Sequence, residues 1–203
     1  MTKKSALFLD RDGTIIEDQI GGYIRTIEQV TLIPEAAASI AQAKSAGFLI
    51  VVVSNQSGIA KGIVSKAKVD EINAYMQSEL KKGGGEAHRI YYAPYHPEYP
   101  KVEFEAYKSW RKPETGMIEQ AVLDFQKEDV DIDLSSSYFI GDKQIDIECG
   151  KKAKVKTILV KTGYSEFEAC VKNNTLPDFV AENLAEGIRN FVLISNNAFH
   201  GND

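Results

Sequence analysis

Two carboxylates, Asp10 and Asp12, stand at the end of a short apolar run, Ala6-Leu7-Phe8-Leu9, with Gly13 directly after them. At i and i+2 on backbone that is still extended, the two side chains leave the chain in the same direction and can meet one reaction centre. Like charges this close are costly unless a cation is shared or one acid keeps a proton. The pair therefore suits a chemistry with one ionised nucleophile, one acid/base partner and a hard divalent metal. Phosphoryl transfer through an aspartyl-phosphate is such a chemistry. The same residues also fit a plain polar turn after a strand, because Asp-Gly is a common turn dipeptide.

The elements that must position these acids are legible from the patterning. The run before Asp10 reads as a central strand of a parallel sheet, and Phe48–Val53 as a second, ending in Ser54-Asn55-Gln56-Ser57-Gly58. Arg89–Tyr92, Ser137–Ile140 and Lys156–Val160 read as further strands, with Phe179–Ala181 a candidate short sixth. Helical stretches alternate with them: one begun by Pro34, carried through Ala46 and closed by Gly47, then Ser65–Lys82, Thr115–Lys127, Gln144–Ala153 and Leu184–Ser195. This alternation predicts an α/β fold, a doubly wound, Rossmann-like and mainly parallel sheet of five to six strands. Residues 93–113 break the pattern with prolines and with Tyr95, Tyr99, Phe104, Tyr107 and Trp110, and read as a long functional loop insertion. The expectation is one domain over residues 1–195, with 196–203 a flexible polar tail.

With 203 residues, 43% hydrophobic and 26% charged, the chain can bury an ordinary core. A net charge of −5 leaves no basic stripe of the kind nucleic-acid binders carry. No apolar stretch approaches a membrane span or a signal peptide, and Cys149 and Cys170 are too few for a disulfide scaffold. The reading is a cytoplasmic protein, monomeric since no exposed heptad or long apolar edge stands out, that binds neither nucleic acid nor membrane.

Open α/β sheets bind ligands beyond the carboxyl ends of their strands. At those ends the sequence places Asp10 and Asp12, then Ser54 and Asn55, then Asp142 and Asp146, with Arg111 and Lys112 just before a helix. For Asp142 alone helix capping is the bland alternative, and for Lys112 a solvated lysine; neither explains the four-part set. Asp10-Arg11-Asp12-Gly13-Thr14, Ser54-Asn55-Gln56-Ser57-Gly58, Arg111-Lys112-Pro113 and Gly141-Asp142-Lys143-Gln144-Ile145-Asp146, in this order, resemble the haloacid dehalogenase-like (HAD) phosphatase superfamily. Within it the wording is similar to the D-glycero-D-manno-heptose 1,7-bisphosphate phosphatases and the related histidinol-phosphate phosphatases, which have a minimal cap domain or none.

The resemblance implies a magnesium-dependent phosphomonoester hydrolase acting through an aspartyl-phosphate on a small phosphorylated metabolite. Heptose 1,7-bisphosphate is the favoured substrate and histidinol phosphate the second. Asp10 is then the nucleophile and Asp12 the acid/base. Magnesium is held by Asp10, the Asp12 carbonyl and Asp142, with Asp146 behind them orienting Lys143 or a water. Ser54, Asn55 and Lys112 stabilise the phosphoryl group. Tyr23, Gln56, Ser57, Arg111 and Lys143 hold the rest of the substrate. Many members bind zinc in the long loop, but the corresponding positions here are Ala93, Tyr95, Lys108 and Trp110, and His96 alone cannot make a tetrahedral site, so no zinc is expected. A catalytically silent sugar-phosphate binder is the alternative of another class; the intact Asp10 and Asp12 pair argues against it. The same pair and the chain length disfavour a response-regulator receiver domain.

Overall fold

The structure, a computed structural model, describes residues 2–194. The strands are β1 (Thr2–Lys4), β2 (Ala6–Leu9), β3 (Leu49–Asn55), β4 (Arg89–Ala93), β5 (Val130–Ile132), β6 (Tyr138–Gly141), β7 (Lys156–Val160) and β8 (Phe179–Ala181). The helices are α1 (Ala36–Ser45), α2 (Lys66–Lys82), α3 (Gly116–Gln126), α4 (Gln144–Lys152), α5 (Phe167–Lys172) and α6 (Leu184–Gly187). Six strands form one sheet in the order β4-β3-β2-β6-β7-β8, every neighbouring pair parallel. The chain winds outward from β2 through β3 to β4, then returns to β6 on the other side of β2. The order therefore reverses between β2 and β6, where such sheets open a crevice at their carboxyl edge.

Strand alternation divides the core into two layers. Leu7 and Leu9 lie in one layer with α1, α2, α6 and the turn that follows α6, among Ile40, Ile72, Met76, Leu80, Leu184 and Ile188. Ala6 and Phe8 face α3 and α4 through Met117, Ile118, Ala121, Phe125 and Cys149. All four β2 residues are fully buried, which is why the sequence reads there as an unbroken apolar run.

The structure also departs from the reading of the sequence. Thr2–Lys4 pairs with Val130–Ile132 in a separate two-stranded parallel sheet, held by main-chain bonds between three-residue segments of which β1 is wholly exposed. Helix α1 begins at Ala36 rather than at Pro34, because Glu35 takes a left-handed conformation (φ 62°). Within the expected loop insertion, Val102–Trp110 is a 3-10 stretch. Beyond α6 the chain continues as a π-helical turn over Ile188–Leu193, and α5 was not foreseen. The expected tail 196–203, and Ser195, lie outside the described residues. No helix among the described residues is long and apolar enough to cross a membrane.

Candidate active site

Asp10 leaves β2 with its amide still bonded to the Ile140 carbonyl of β6 at 3.0 Å, so its side chain is fixed at the mouth of the crevice. Asp142 follows the end of β6, and Asp146 lies on the first turn of α4. One carboxylate oxygen from each of these three buried acids lies within 4.8 Å of the others. Lys112 enters the same space, 2.7 Å from Asp10 Oδ1 and 2.6 Å from Asp146 Oδ1, with its side chain 1% exposed. Burial alone disfavours the Lys112 ammonium; the Asp10 and Asp146 charges outweigh it and hold the group above its ordinary value.

The remaining oxygens separate the three acids by role. Asp146 Oδ2 accepts the Lys143 N–H at 3.0 Å, capping α4, so both its oxygens are engaged. Asp142 Oδ2 accepts the Tyr164 N–H at 2.7 Å, while Asp142 Oδ1 is buried with no hydrogen-bond partner. Burial, then the Asp10 and Asp146 charges, push the Asp142 carboxyl up to about 8. Burial also raises Asp146, to about 6, against the pull of Lys112. A buried carboxylate oxygen with no donor and two like charges beside it has the chemistry to hold a hard cation. Gly13 makes room for this arrangement: its φ is +80°, and a Cβ there would stand 2.6 Å from Asp142 Oδ2.

Asp12 sits just outside the triad. Its carboxylate is gripped by the Arg11 guanidinium, at 3.0 to 3.1 Å, and accepts from Gln56 Nε2 at 2.8 Å. Arg11 is itself 1% exposed and donates to Asn73 of α2 at 2.8 Å, which ties the acid to the core. Gln56 Nε2 also donates to Ser54 Oγ at 2.9 Å, so the Ser54 hydroxyl keeps its own proton to donate elsewhere. Asn55 holds the Lys112 main chain from both sides, donating to its carbonyl at 3.1 Å and accepting from its amide at 2.9 Å.

From Asp12 a cleft of about 310 Å³ runs outward, lined by Asp18, Tyr23, Asn55, Gln56, Ser57, Arg111, Lys143 and Tyr164 among others. All five residues expected to hold the substrate, Tyr23, Gln56, Ser57, Arg111 and Lys143, line it. Asn55 and Gln56 act on other residues: one amide clamps Lys112, the other joins Asp12 to Ser54. Asp146, expected to orient Lys143 or a water, accepts the Lys143 main-chain N–H and, beyond that expectation, pairs with the ammonium of Lys112.

Three contributors were missed. Asp18 pairs with Lys143 at 3.1 Å. Tyr164 lies under the Lys143 ammonium, 4.3 Å from its ring centre. Lys61 lies 5.7 Å from the Tyr23 ring centre and 5.3 Å from that of Tyr99. Neither Lys61 nor Arg111 has a carboxylate partner among the described residues. Burial would raise the Tyr23 phenol, but hydrogen bonds to Ser57 and Lys61 and the charges of Lys61 and Arg111 lower it. For Asp18 and Tyr164 the local signals were an acid shortly after Asp12 and an aromatic after a Thr-Gly turn, neither specific; Lys61 lies in the stretch Ser54–Gly62, which resembles the family, but the stretch alone gave it no role.

At the positions corresponding to the zinc ligands, Ala93 closes β4 and Trp110 packs edge-on against Tyr91 and Tyr107, centroids 5.8 and 5.1 Å apart.

A HAD-hydrolase-like family model matches residues 109–187. The chain is 44% identical, over 95% of its length and 96% of the relative's, to a D-glycero-D-manno-heptose-1,7-bisphosphate 7-phosphatase of Chlorobaculum tepidum. It is 40% identical to a D-glycero-beta-D-manno-heptose-1,7-bisphosphate 7-phosphatase of Pasteurella multocida, over 79% of this chain and 83% of that one. Its fold is similar to that of a D,D-heptose 1,7-bisphosphate phosphatase from B. bronchiseptica, solved with magnesium and phosphate. The TM-score is 0.78 at 24% identity, covering 96% of this chain and 99% of that chain.

Proposed function

Because the chain belongs to the haloacid dehalogenase-like phosphatases, in the branch of the heptose-1,7-bisphosphate phosphatases, we propose that it removes the 7-phosphate of D-glycero-D-manno-heptose 1,7-bisphosphate through an aspartyl-phosphate on Asp10. The observation that carries this reading is Lys112: a fully buried ammonium bridging Asp10 and Asp146, a charge arrangement that makes little sense as structure alone.

Asp10 attacks phosphorus with a carboxylate oxygen, and the phosphorus–oxygen bond to the leaving alkoxide breaks. Asp12, immobilised by Arg11 and Gln56, gives the leaving oxygen its proton. It then takes a proton from the water that attacks the aspartyl-phosphate, which frees Asp10 and inorganic phosphate. Lys112 and the Ser54 hydroxyl meet the charge that builds on the transferred oxygens. Asn55 and Asp146 hold Lys112 in place for this. Asp142 Oδ1 and Asp10 would hold magnesium, which supplies further charge neutralisation on the phosphoryl oxygens.

A substrate with a second phosphate is supported by the outer cleft, where Arg111 lines the wall and Lys61 lies over the adjoining Tyr23 ring, neither of them ion-paired to a carboxylate among the described residues. Arg111 offers a fork matched to a phosphate. The remainder of the reading is a single catalytic domain working as a monomer in the cytoplasm, with Cys149 and Cys170 as buried free thiols. In it the 93–113 loop is held by Trp110 and its aromatic neighbours instead of zinc.

The test is phosphate release from heptose 1,7-bisphosphate, fructose 1,6-bisphosphate, histidinol phosphate and p-nitrophenyl phosphate, with magnesium or EDTA. The reading expects heptose bisphosphate to be hydrolysed far faster than the rest, and only with magnesium. Faster hydrolysis of histidinol phosphate would move the substrate assignment. Release from none of them by folded protein would point to a sugar-phosphate binder.

A further inference from the structure

The segment 18–22 forms one wall of the cleft and is thinly attached. Gln19, Ile20, Gly21 and Gly22 are exposed, Ile20 by 63%, and no atom approaches within 4 Å of a Cβ built on Gly21. Among the described residues, two side-chain contacts tie this segment across the cleft. The Lys143 ammonium pairs with Asp18 Oδ2 at 3.1 Å, and the Gly21 N–H donates to Tyr164 Oη at 2.8 Å.

Both ties run through one residue. Tyr164 accepts the Gly21 bond directly, and its ring lies under the same Lys143 ammonium, at a distance where a cation is held by the ring face. Its own placement is rigid at the other end. Its main-chain N–H binds Asp142 Oδ2 at 2.7 Å, and two residues earlier Thr162 Oγ1 donates to the Gly13 carbonyl at 2.6 Å. The turn 162–164 is thus bolted to both acid-bearing strand tips, and the Tyr164 side chain reaches from there to the wall.

We propose that Tyr164 is a positioning residue for substrate recognition: it fastens the 18–22 wall and aims Lys143, and so sets the preference for substrates that extend beyond the transferred phosphoryl group. This rests on the phosphatase reading of the site and adds to it a residue that touches none of the reacting atoms. A loose wall leaves the phosphoryl end intact, because Asp10, Lys112 and Asp142 are anchored independently by the sheet, Asn55 and the Tyr164 main chain. What suffers is the part of the substrate that lies along Asp18, Gly22 and Lys143.

The test compares wild type with Tyr164→Phe, which keeps the ring and removes the bond to Gly21, and with Tyr164→Leu, which removes both. Steady-state kinetics are measured on heptose 1,7-bisphosphate and on p-nitrophenyl phosphate, and hydrogen exchange is followed at the Gly21 amide. In Tyr164→Phe the Gly21 amide exchanges faster, and KM for the bisphosphate rises roughly three- to ten-fold with kcat within about two-fold. Tyr164→Leu goes further in the same direction, and in both variants kcat/KM falls several times more for the bisphosphate than for p-nitrophenyl phosphate. Equal losses on the two substrates would overturn the proposal, since they would mark a merely structural role through Asp142. So would unchanged Gly21 exchange. If wild type hydrolyses p-nitrophenyl phosphate but not the bisphosphate, the substrate reading has failed by itself. Tyr164 is then judged by Gly21 exchange in the Phe variant: faster exchange upholds the fastening, unchanged exchange overturns it.

Discussion

The two ends of the cleft are built on opposite terms. At the inner end Asp10, Lys112, Asp142 and Asp146 are almost wholly buried, and each charge faces an opposite charge, a main-chain donor or its neighbouring acids. At the outer end Tyr23, Lys61, Arg111, Lys143 and Tyr164 are partly exposed, borne on loops, and arranged around aromatic rings with two cations lacking carboxylates. The inner end can be rigid because phosphoryl chemistry is the same for any substrate. On the proposed reading the outer end is where substrates are told apart, and its loop-borne residues can vary without disturbing the sheet.

The largest break in this comparison comes from the inner end. Asp10→Asn should cut turnover by on the order of 10⁴-fold or more on every substrate alike, measured by phosphate release, with little loss of folding. Lys112→Met should do two things at once. Turnover drops by about 10²–10³, and thermal unfolding loses about 3–5 kcal/mol because two buried carboxylates are left without their cation.

Metal removal acts on the same buried charges, with a definite sign. The Asp142 carboxyl, pushed up to about 8, holds its proton in the folded state at pH values where the unfolded chain has lost it. The folded state thus binds more protons, and without magnesium stability should fall as pH rises from about 4 toward about 8. Magnesium should oppose that fall, and Asp142→Asn should abolish the magnesium response and leave only the part of the fall below about 6 that the raised Asp146 carboxyl contributes, in melting curves taken across this range.

The outer end should respond differently. Arg111→Lys keeps the charge but loses the fork, and should raise KM for heptose bisphosphate by roughly tenfold while p-nitrophenyl phosphate barely notices. An equal effect on both substrates would erase the proposed distinction between the ends.

A smaller effect lies away from both ends. His88 Nδ1 accepts the Ile50 N–H at 2.9 Å, and burial and nearby cations, led by Lys44, lower its affinity for a proton. A histidine depressed in the folded state contributes stability that is present above the unfolded value near 6.5 and lost as pH falls from there through its lower folded value. His88→Gln should flatten that part of the acid-unfolding profile, a change of about 1 kcal/mol or less.

The same contrast explains what the sequence could say. Asp10, Ser54 and Asp142 follow apolar runs of the kind that only a buried parallel strand explains, so their convergence at one sheet edge was legible from the residues alone. Lys112 was legible from its place before a helix, and so was its approach to Asp10, but its second partner, Asp146, was not: that pairing depends on how the segment before α3 folds over the crevice. Asn55 and Gln56 sit at a strand tip as donors to phosphate would, yet what an amide binds is decided by neighbours from other segments. Asp18, Lys61 and Tyr164 lie in loops without period, and β1 is three polar, exposed residues. Nothing in local patterning distinguishes such segments from ordinary surface.

The central claim is that Asp10 carries the phosphoryl group. Acid quenching during turnover of heptose 1,7-bisphosphate, followed by borohydride reduction and peptide mass spectrometry, reads this directly. The expected result is conversion of Asp10 to homoserine in wild type and no reduced residue when substrate is omitted. Reduction at another carboxylate, or steady phosphate release with no trapped residue and undiminished turnover in Asp10→Asn, would contradict it.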